Sequence, residues 1–254
     1  MDELRRQYYL DALGVTRWQL RDAPQAEIEP PPIPEAVPEP KPQPEEQPQT
    51  RQEPRQEPRS EPSPPPKEKP DWQTLREQVR SCRKCALREG CTQTVFGVGN
   101  TQADLLVIGE APGADEDRQG EPFVGRAGQL LNAMLLAMGF KREAVFIANI
   151  VKCRPPNNRD PRPEEALSCE PYLSRQIELI RPRAILAVGR IAAQNLLKSE
   201  LTVGKMRGRV HALGEARIPL VVTYHPAYLL RSPEHKGRAW DDLRMALAVL
   251  RERP

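Results

Sequence analysis

No run of apolar residues in this chain is long enough to cross a bilayer, and the opening residues MDELRRQYY carry no signal-peptide core. The expectation is a cytoplasmic protein. Thiols stay reduced in that compartment, so the five cysteines are metal ligands, catalytic groups or packed core residues rather than disulfides. Apolar residues longer than Ala are also nearly missing between Pro24 and Pro70, a stretch that holds seventeen of the 29 prolines. Such a segment buries too little surface to offset the entropy of ordering, and its composition favours extended polyproline conformations. The chain therefore divides into three parts. Residues 1–22 read as a short amphipathic helix, with Leu4, Tyr8, Leu10, Leu13 and Trp18 as its apolar members. Residues 23–70 form a disordered Pro-rich linker with the near-repeat QEPRQEPRSEP, and residues 71–254 are ample for one globular domain.

Charge divides at the same boundary. Residues 1–70 carry −4 and residues 71–254 carry +7, so the whole-chain value of +3 conceals a basic domain. Basic domains of this size often face nucleic acid, although solubility alone accounts for such an excess about as often.

Beyond Pro70 the pattern is regular. Four apolar runs, Asp104–Gly109, Val145–Val151, Ala184–Gly189 and Pro219–Tyr224, are too short for useful helices. Helical periodicity covers Trp72–Arg80, Arg126–Met138, Pro163–Ile180, Ile191–Leu197 and His235–Arg251. Strands that alternate with helices and show no in/out pattern imply a parallel sheet covered on both faces. The expected fold is α/β, a three-layer α/β/α sandwich around a central four-stranded parallel sheet. Ligands bind beyond the carboxyl ends of such strands, and three of the four runs lead directly into unusual sequences.

Cys82 and Cys85 form a CxxC pair that can reach one metal centre from a single turn. Cys153 and Cys169, sixteen residues apart, can close a four-thiolate site from other loops. On spacing alone zinc and iron suit this set about equally, and inert buried thiols are the plain alternative. Cys91 is left over as a free or packed residue.

After the first run comes GEAPGADED (109–117), whose small residues let backbone approach a ligand while Glu110 and Glu116 supply carboxylates. EPFVGRAGQLL (121–131) follows, with Phe123 as a core plug or a platform for a flat ring. The second run leads into NIVKCRPPNNR (149–159). The Asn149 side chain has a donor beside an acceptor, which suits the edge of a pyrimidine. The fourth leads into HPAYLLR (225–231), where a histidine precedes exposed-looking leucines and an arginine, a combination suited to entering a base stack beside a phosphate.

Together with VFGVG at 95–99, these segments resemble the family 4 uracil-DNA glycosylases, the iron–sulfur branch of the uracil glycosylase superfamily. The motifs occur in the family's order and spacing across about residues 79–235. The resemblance implies a monofunctional enzyme that flips uracil from DNA and hydrolyses its N-glycosidic bond, with a 4Fe–4S cluster on Cys82, Cys85, Cys153 and Cys169. Phe123 would stack on the base, Asn149 would read N3–H and O4, and Glu110 with the backbone near Ala111 would complete the pocket. His225 would donate to O2 as negative charge develops there. The best-known branch of the superfamily has a water-activating Asp where this chain has Ala111. The resemblance therefore passes that duty to Glu116, supported by Asn158, with Glu116 equally placed to crowd a thymine methyl. Leu229, Leu230 and Arg231 would form the wedge that fills the vacated stack.

A glycosylase of wider deaminated-base range and a non-catalytic uracil-DNA or zinc-binding module are the competing readings. A covalent uracil trap needs a histidine in the loop after the second strand, and residues 154–162 contain none. YLDALGVTRWQLR resembles the N-terminal peptide of the psi subunit of bacterial DNA polymerase III, which binds the chi subunit. That likeness implies chi, or another replication protein, as a partner of residues 1–21. A monomer in the cytoplasm, associated with the nucleoid, completes the expectation.

Overall fold

The computed structural model describes residues 69–252. The helix expected at 1–22 and nearly all of the linker at 23–70 lie outside the described residues. In chain order the first elements are α1 (Trp72–Arg80), α2 (Leu87–Gly90), β1 (Val98–Gly99), β2 (Leu105–Gly109), α3 (Ala114–Gln119), α4 (Arg126–Ala137), β3 (Phe146–Asn149) and α5 (Pro163–Ile180). There follow β4 (Ala184–Val188), α6 (Arg190–Leu197), α7 (Val203–Met206), β5 (Val210–Leu213), β6 (Ile218–Thr223), α8 (Pro226–Arg231) and α9 (Lys236–Glu252).

The sheet has six strands in the order β1-β3-β2-β4-β6-β5. Its four inner strands are the four apolar runs, and they pair in parallel. The expected four-stranded sheet is thus extended by two antiparallel edge strands, β1 beside β3 and β5 beside β6. Successive residues of the inner strands enter opposite cores, which explains their unbroken hydrophobicity. Leu106 and Ile108 pack with Leu75 and Val79 of α1, Tyr172 and Leu173 of α5, and Ala192 of α6. Leu105 and Val107 pack with Leu131 and Leu135 of α4, Leu229 of α8, and Trp240 and Leu243 of α9. Helices therefore cover both faces, giving the three expected layers. Among the described residues no helix is long and apolar enough to cross a membrane.

Local chemistry sets the helix starts. The Asp71 carboxylate accepts from Thr74 N at 2.8 Å and caps α1, whose Leu75 and Val79 lie one turn apart on the buried face. Glu165 accepts from Arg162 N at 2.8 Å at the start of α5, with Pro163 in the first turn, where no N–H is needed. Glu165 also takes both Arg159 guanidinium nitrogens, at 2.8 and 2.6 Å, so the loop after β3 is pinned to α5.

β2 lies between β3 and β4, and the chain visits those neighbours on opposite sides. The crevice at such a reversal opens at the carboxyl ends of the strands. Glu110 follows β2 there and Arg190 opens α6 directly after β4.

Candidate active site

The carboxyl ends of β2, β3 and β6 bring Phe123, Asn149 and His225 together. Gly109, the last residue of β2, makes this possible. A Cβ there would stand 2.5 Å from Asn149 Oδ1 and 2.6 Å from the Phe123 ring, so any larger residue would push both away. Phe123 has φ +56°, a left-handed conformation that costs a bulky residue energy and persists only when its surroundings enforce it. Two features enforce it. The Glu116 carboxylate accepts from Val124 N at 2.9 Å and Gly125 N at 3.2 Å. The Phe123 carbonyl also lies against Gly128, where a Cβ would approach it to 1.8 Å.

Glu116 therefore has a duty that its spacing did not disclose. Its other oxygen accepts from Gly113 N at 3.1 Å, so one carboxylate joins the loop after β2 to the loop that presents Phe123. With three backbone N–H groups on it, little acceptor capacity remains for water.

Asn149 is buried, and its Oδ1 has no hydrogen-bond partner among the described residues. A buried acceptor left unmade costs about 1–3 kcal/mol, so an orphan at a strand end marks a place for a ligand's donor. The Phe123 and His225 rings lie 5.6 Å apart and are tilted by 32°. His225 precedes α8, and its Nδ1 accepts from Ala227 N at 3.1 Å. That bond leaves the proton of a neutral ring on Nε2, making it a donor. Burial first, then the Arg231 charge, lowers the His225 pKa to about 4, with Glu116 opposing. The ring is accordingly neutral at physiological pH.

Glu110 moves the other way. Burial first, then the charge of the neighbouring Asp160 and a hydrogen bond to it, raise its pKa to about 7 against the opposing charge of Arg190. Asp160 is itself paired with Arg190. Neither Asp160 nor Arg190 was singled out from the sequence; they lie thirty residues apart in segments without a motif, and only the sheet topology joins them. Ala111 is half-buried and packs against the core on the α1 side of the sheet. Asn158 sits on the loop after β3 with φ +52°, its Oδ1 accepting from Arg154 Nε at 2.7 Å. Of the three expected wedge residues, Leu230 is 40 % exposed and Arg231 is exposed, but Leu229 is closed into the core at 1 %. Pro226 and Leu229, three residues apart, share the buried face of α8.

The cysteines form a second centre. Cys82, Cys85, Cys153 and Cys169 all line one small pocket with Tyr172 and Lys152. Burial pushes the thiols of Cys85, Cys153 and Cys169 up. Among the described residues no three His, Cys, Asp or Glu side chains converge on a single-ion position. A set of four thiols lining one pocket can hold either a zinc ion or an iron–sulfur cluster. The Lys152 main-chain N–H lies 3.3 Å from Cys169 Sγ, as a donor to a thiolate would. Cys91 is buried beside Cys153 and outside the pocket lining, with Sγ 3.7 Å from Arg88 O, so it is a packed residue.

The profile of the Uracil DNA glycosylase superfamily matches residues 96–244. The type-4 uracil-DNA glycosylase of Archaeoglobus fulgidus is 48% identical over 163 residues, covering 62% of this chain and 82% of that protein. The type-4 enzyme of Thermotoga maritima is 42% identical over 168 residues, 65% of this chain and 86% of that protein. A type-5 uracil-DNA glycosylase of Pyrobaculum aerophilum is 32% identical over 148 residues, 52% of this chain and 64% of that protein. The chain belongs to the uracil DNA glycosylase superfamily, in its type-4 branch.

Proposed function

We propose that this protein removes uracil from DNA by hydrolysing the N-glycosidic bond, leaving an abasic site for base-excision repair. The observation that carries this reading is the orphaned Asn149 Oδ1, buried close to Gly109 beside a strained Phe123 whose ring lies 5.6 Å from a neutral His225. The target base is out of reach inside a duplex, so the nucleotide is flipped into the pocket, with Leu230 and Arg231 entering the space it leaves. Uracil stacks on Phe123. Its N3–H fills the vacant acceptor of Asn149, and the amide nitrogen donates to O4. Ala111 contributes close backbone approach. As the bond to C1′ lengthens, the sugar becomes cationic and the base leaves as an anion. Nε2–H of His225 donates to O2 as charge develops there, and the ionised Glu110 carboxylate stabilises the sugar.

Glu116 acts here through Phe123, holding the loop in its strained form, rather than as a base. Asn158 remains the residue for orienting water. Its attachment to Arg154 supports this by fixing the side chain on the loop after β3.

Cys82, Cys85, Cys153 and Cys169 would hold a 4Fe–4S cluster. When bound it would supply a crosslink between the segment after α1, the loop after β3 and α5, and no step of the hydrolysis. Support comes from the four-thiol pocket and from the relatives' type-4 name. The likeness of residues 1–21 to the psi peptide supports docking to chi, and a pull-down by full-length but not truncated chain tests it. A monomer near the nucleoid fits a repair enzyme that scans DNA.

The deciding experiment is a glycosylase assay on uracil-containing and uracil-free oligonucleotides, run beside iron analysis and a spectrum near 400 nm. Alkali-labile sites at uracil alone, with about four irons per chain, are the expected result. Turnover without iron would remove the cluster and leave the chemistry.

Glu110 gives the assay a pH signature. Its carboxyl is protonated below about pH 7 and ionised above it, and only the ionised form can stabilise a sugar cation. The single-turnover rate should therefore rise with pH through about 7 and then level. Glu110→Gln should flatten that rise and lower the plateau. Asp160→Asn removes two of the causes that hold the proton on Glu110, so its rise should move to lower pH. Stability moves oppositely. Between 4.5 and about 7 the folded chain keeps a proton that the unfolded chain releases, so this group's contribution declines as pH rises through that window.

A further inference from the structure

The chemistry above leaves one buried charge unused. Lys152 is 2% exposed, and among the described residues no carboxylate pairs with it. An ammonium taken out of water is expensive, and the Cys169 thiol beside it would offset that cost only when ionised, so its position needs a reason. Its Nζ donates to the Asn149 carbonyl at 3.0 Å and to Gln176 Oε1 at 2.7 Å. Gln176 is fully buried on α5 and is fixed in turn by donating to the Phe96 carbonyl at 2.9 Å. The Lys152 backbone is held as firmly: its N–H lies on Cys169 Sγ at 3.3 Å and its carbonyl accepts from Val95 N at 2.7 Å.

The Asn149 carbonyl stands where the sheet ends. The β2–β3 register finishes at the Gly109–Asn149 pair, and the Ile150 N–H just beyond it still donates to the Gly109 carbonyl at 3.0 Å. Lys152 Nζ adds the side-chain contact to the Asn149 carbonyl. One residue thus touches the thiol pocket with its main chain and the residue that carries the orphaned amide with its side chain.

We propose that Lys152 is a positioning residue that couples the four-thiol pocket to base recognition, holding Asn149 at the angle its amide needs to meet a pyrimidine edge. This rests on the reading of Asn149 as the base-reading residue. On this view the cysteine centre contributes to selectivity as well as to the frame. Cys169 places Lys152, Lys152 places Asn149, and the amide of Asn149 projects into the pocket against Phe123. Groups that orient metal-ligating side chains typically carry about ten- to hundredfold in affinity or activity, and an effect of similar size is expected of a group that orients a base-reading amide.

The test uses the full chain with Lys152→Met, which keeps the length of the side chain and removes its charge and donors. Gln176→Leu is its companion and leaves the lysine in place. Free uracil is the probe, titrated by calorimetry and as a competitive inhibitor, beside KM and kcat on a uracil oligonucleotide, iron content and the melting temperature. Both variants should bind free uracil about tenfold or more weakly and raise KM by a similar factor, with kcat within about threefold and iron retained. Unchanged uracil affinity in a folded, iron-bearing Lys152→Met protein overturns the coupling. If that variant loses iron or fails to fold, Gln176→Leu decides: iron retained with normal uracil affinity overturns the proposal, and weakened affinity sustains it. A wild-type chain that neither binds nor excises uracil overturns the parent reading instead, which separates the two failures.

Discussion

Replacing His225 by alanine should lower the single-turnover rate of uracil release about a hundred- to a thousandfold, the usual effect of removing one donor aimed at developing negative charge. The geometry makes the donor neutral. Nδ1 is occupied by Ala227 N, so Nε2 carries the proton, and a pKa near 4 keeps a second proton off the ring. A neutral imidazole can strengthen its bond to O2 as the base becomes an anion without first having bound to a charged site. The substitution also removes a helix cap, an effect of about 1 kcal/mol on stability. His225→Asn separates these effects, because asparagine is a preferred cap that can take the Ala227 N–H but lacks the reach of Nε2. Both variants should lose rate, and only the alanine should lose melting temperature. An asparagine variant with near wild-type rate would move leaving-group stabilisation elsewhere. Between pH 5 and 8 the wild-type profile should carry the Glu110 rise and no histidine limb. In stability the His225 contribution is fully present above pH 6.5. It is lost as pH falls from there to about 4, where the unfolded chain takes up a proton that the folded chain refuses.

The inner sheet was legible because both of its faces are covered. A strand buried on both sides shows an unbroken apolar run, and all four runs became β2, β3, β4 and β6. The edges were not legible. β1 is the dipeptide Val98–Gly99, too short to show a period, and β5 (Val210–Leu213) is half exposed, with a histidine and an alanine in its four residues. At the site, residues that end strands could be named from sequence because the topology of a parallel sheet puts ligands there. What Glu116 does could not, since its partners are backbone N–H groups eight and nine residues away, at Val124 and Gly125. The environment of Glu110 was hidden for a similar reason: its pKa depends on Asp160, which sits on a loop fastened by Arg159 to Glu165. Leu229 misled in the opposite direction. Beside Leu230 and Arg231 it reads as part of an exposed trio, but helical spacing from Pro226 turns it into the core.

Replacing Asn149 by aspartate should have the largest effect on specificity. The two bases present reversed edges at this position: uracil offers N3–H beside the acceptor O4, and cytosine offers the acceptor N3 beside an N4 donor. The asparagine amide matches the first, and its Oδ1 has no partner among the described residues until that N3–H arrives. An ionised aspartate has acceptors only. It can still take N3–H, but it places a second oxygen against O4, while towards cytosine that oxygen can accept from N4. Uracil release by Asn149→Asp should fall about a thousandfold or more, as expected when a buried site built for one hydrogen-bond pattern meets another. Cytosine release, assayed on an oligonucleotide with cytosine at the same place, should rise above the wild-type background. An unchanged ratio of the two rates would show that another group reads the base. The amide is confined on several sides. Gly109 sets its closest approach, Phe123 closes the adjoining side, and the carbonyl is fastened to Lys152 at 3.0 Å. Specificity at Asn149 therefore depends on the placement of the amide as much as on its chemistry. Gly109→Ala should impair uracil release as well, although it alters no group that touches the base edge.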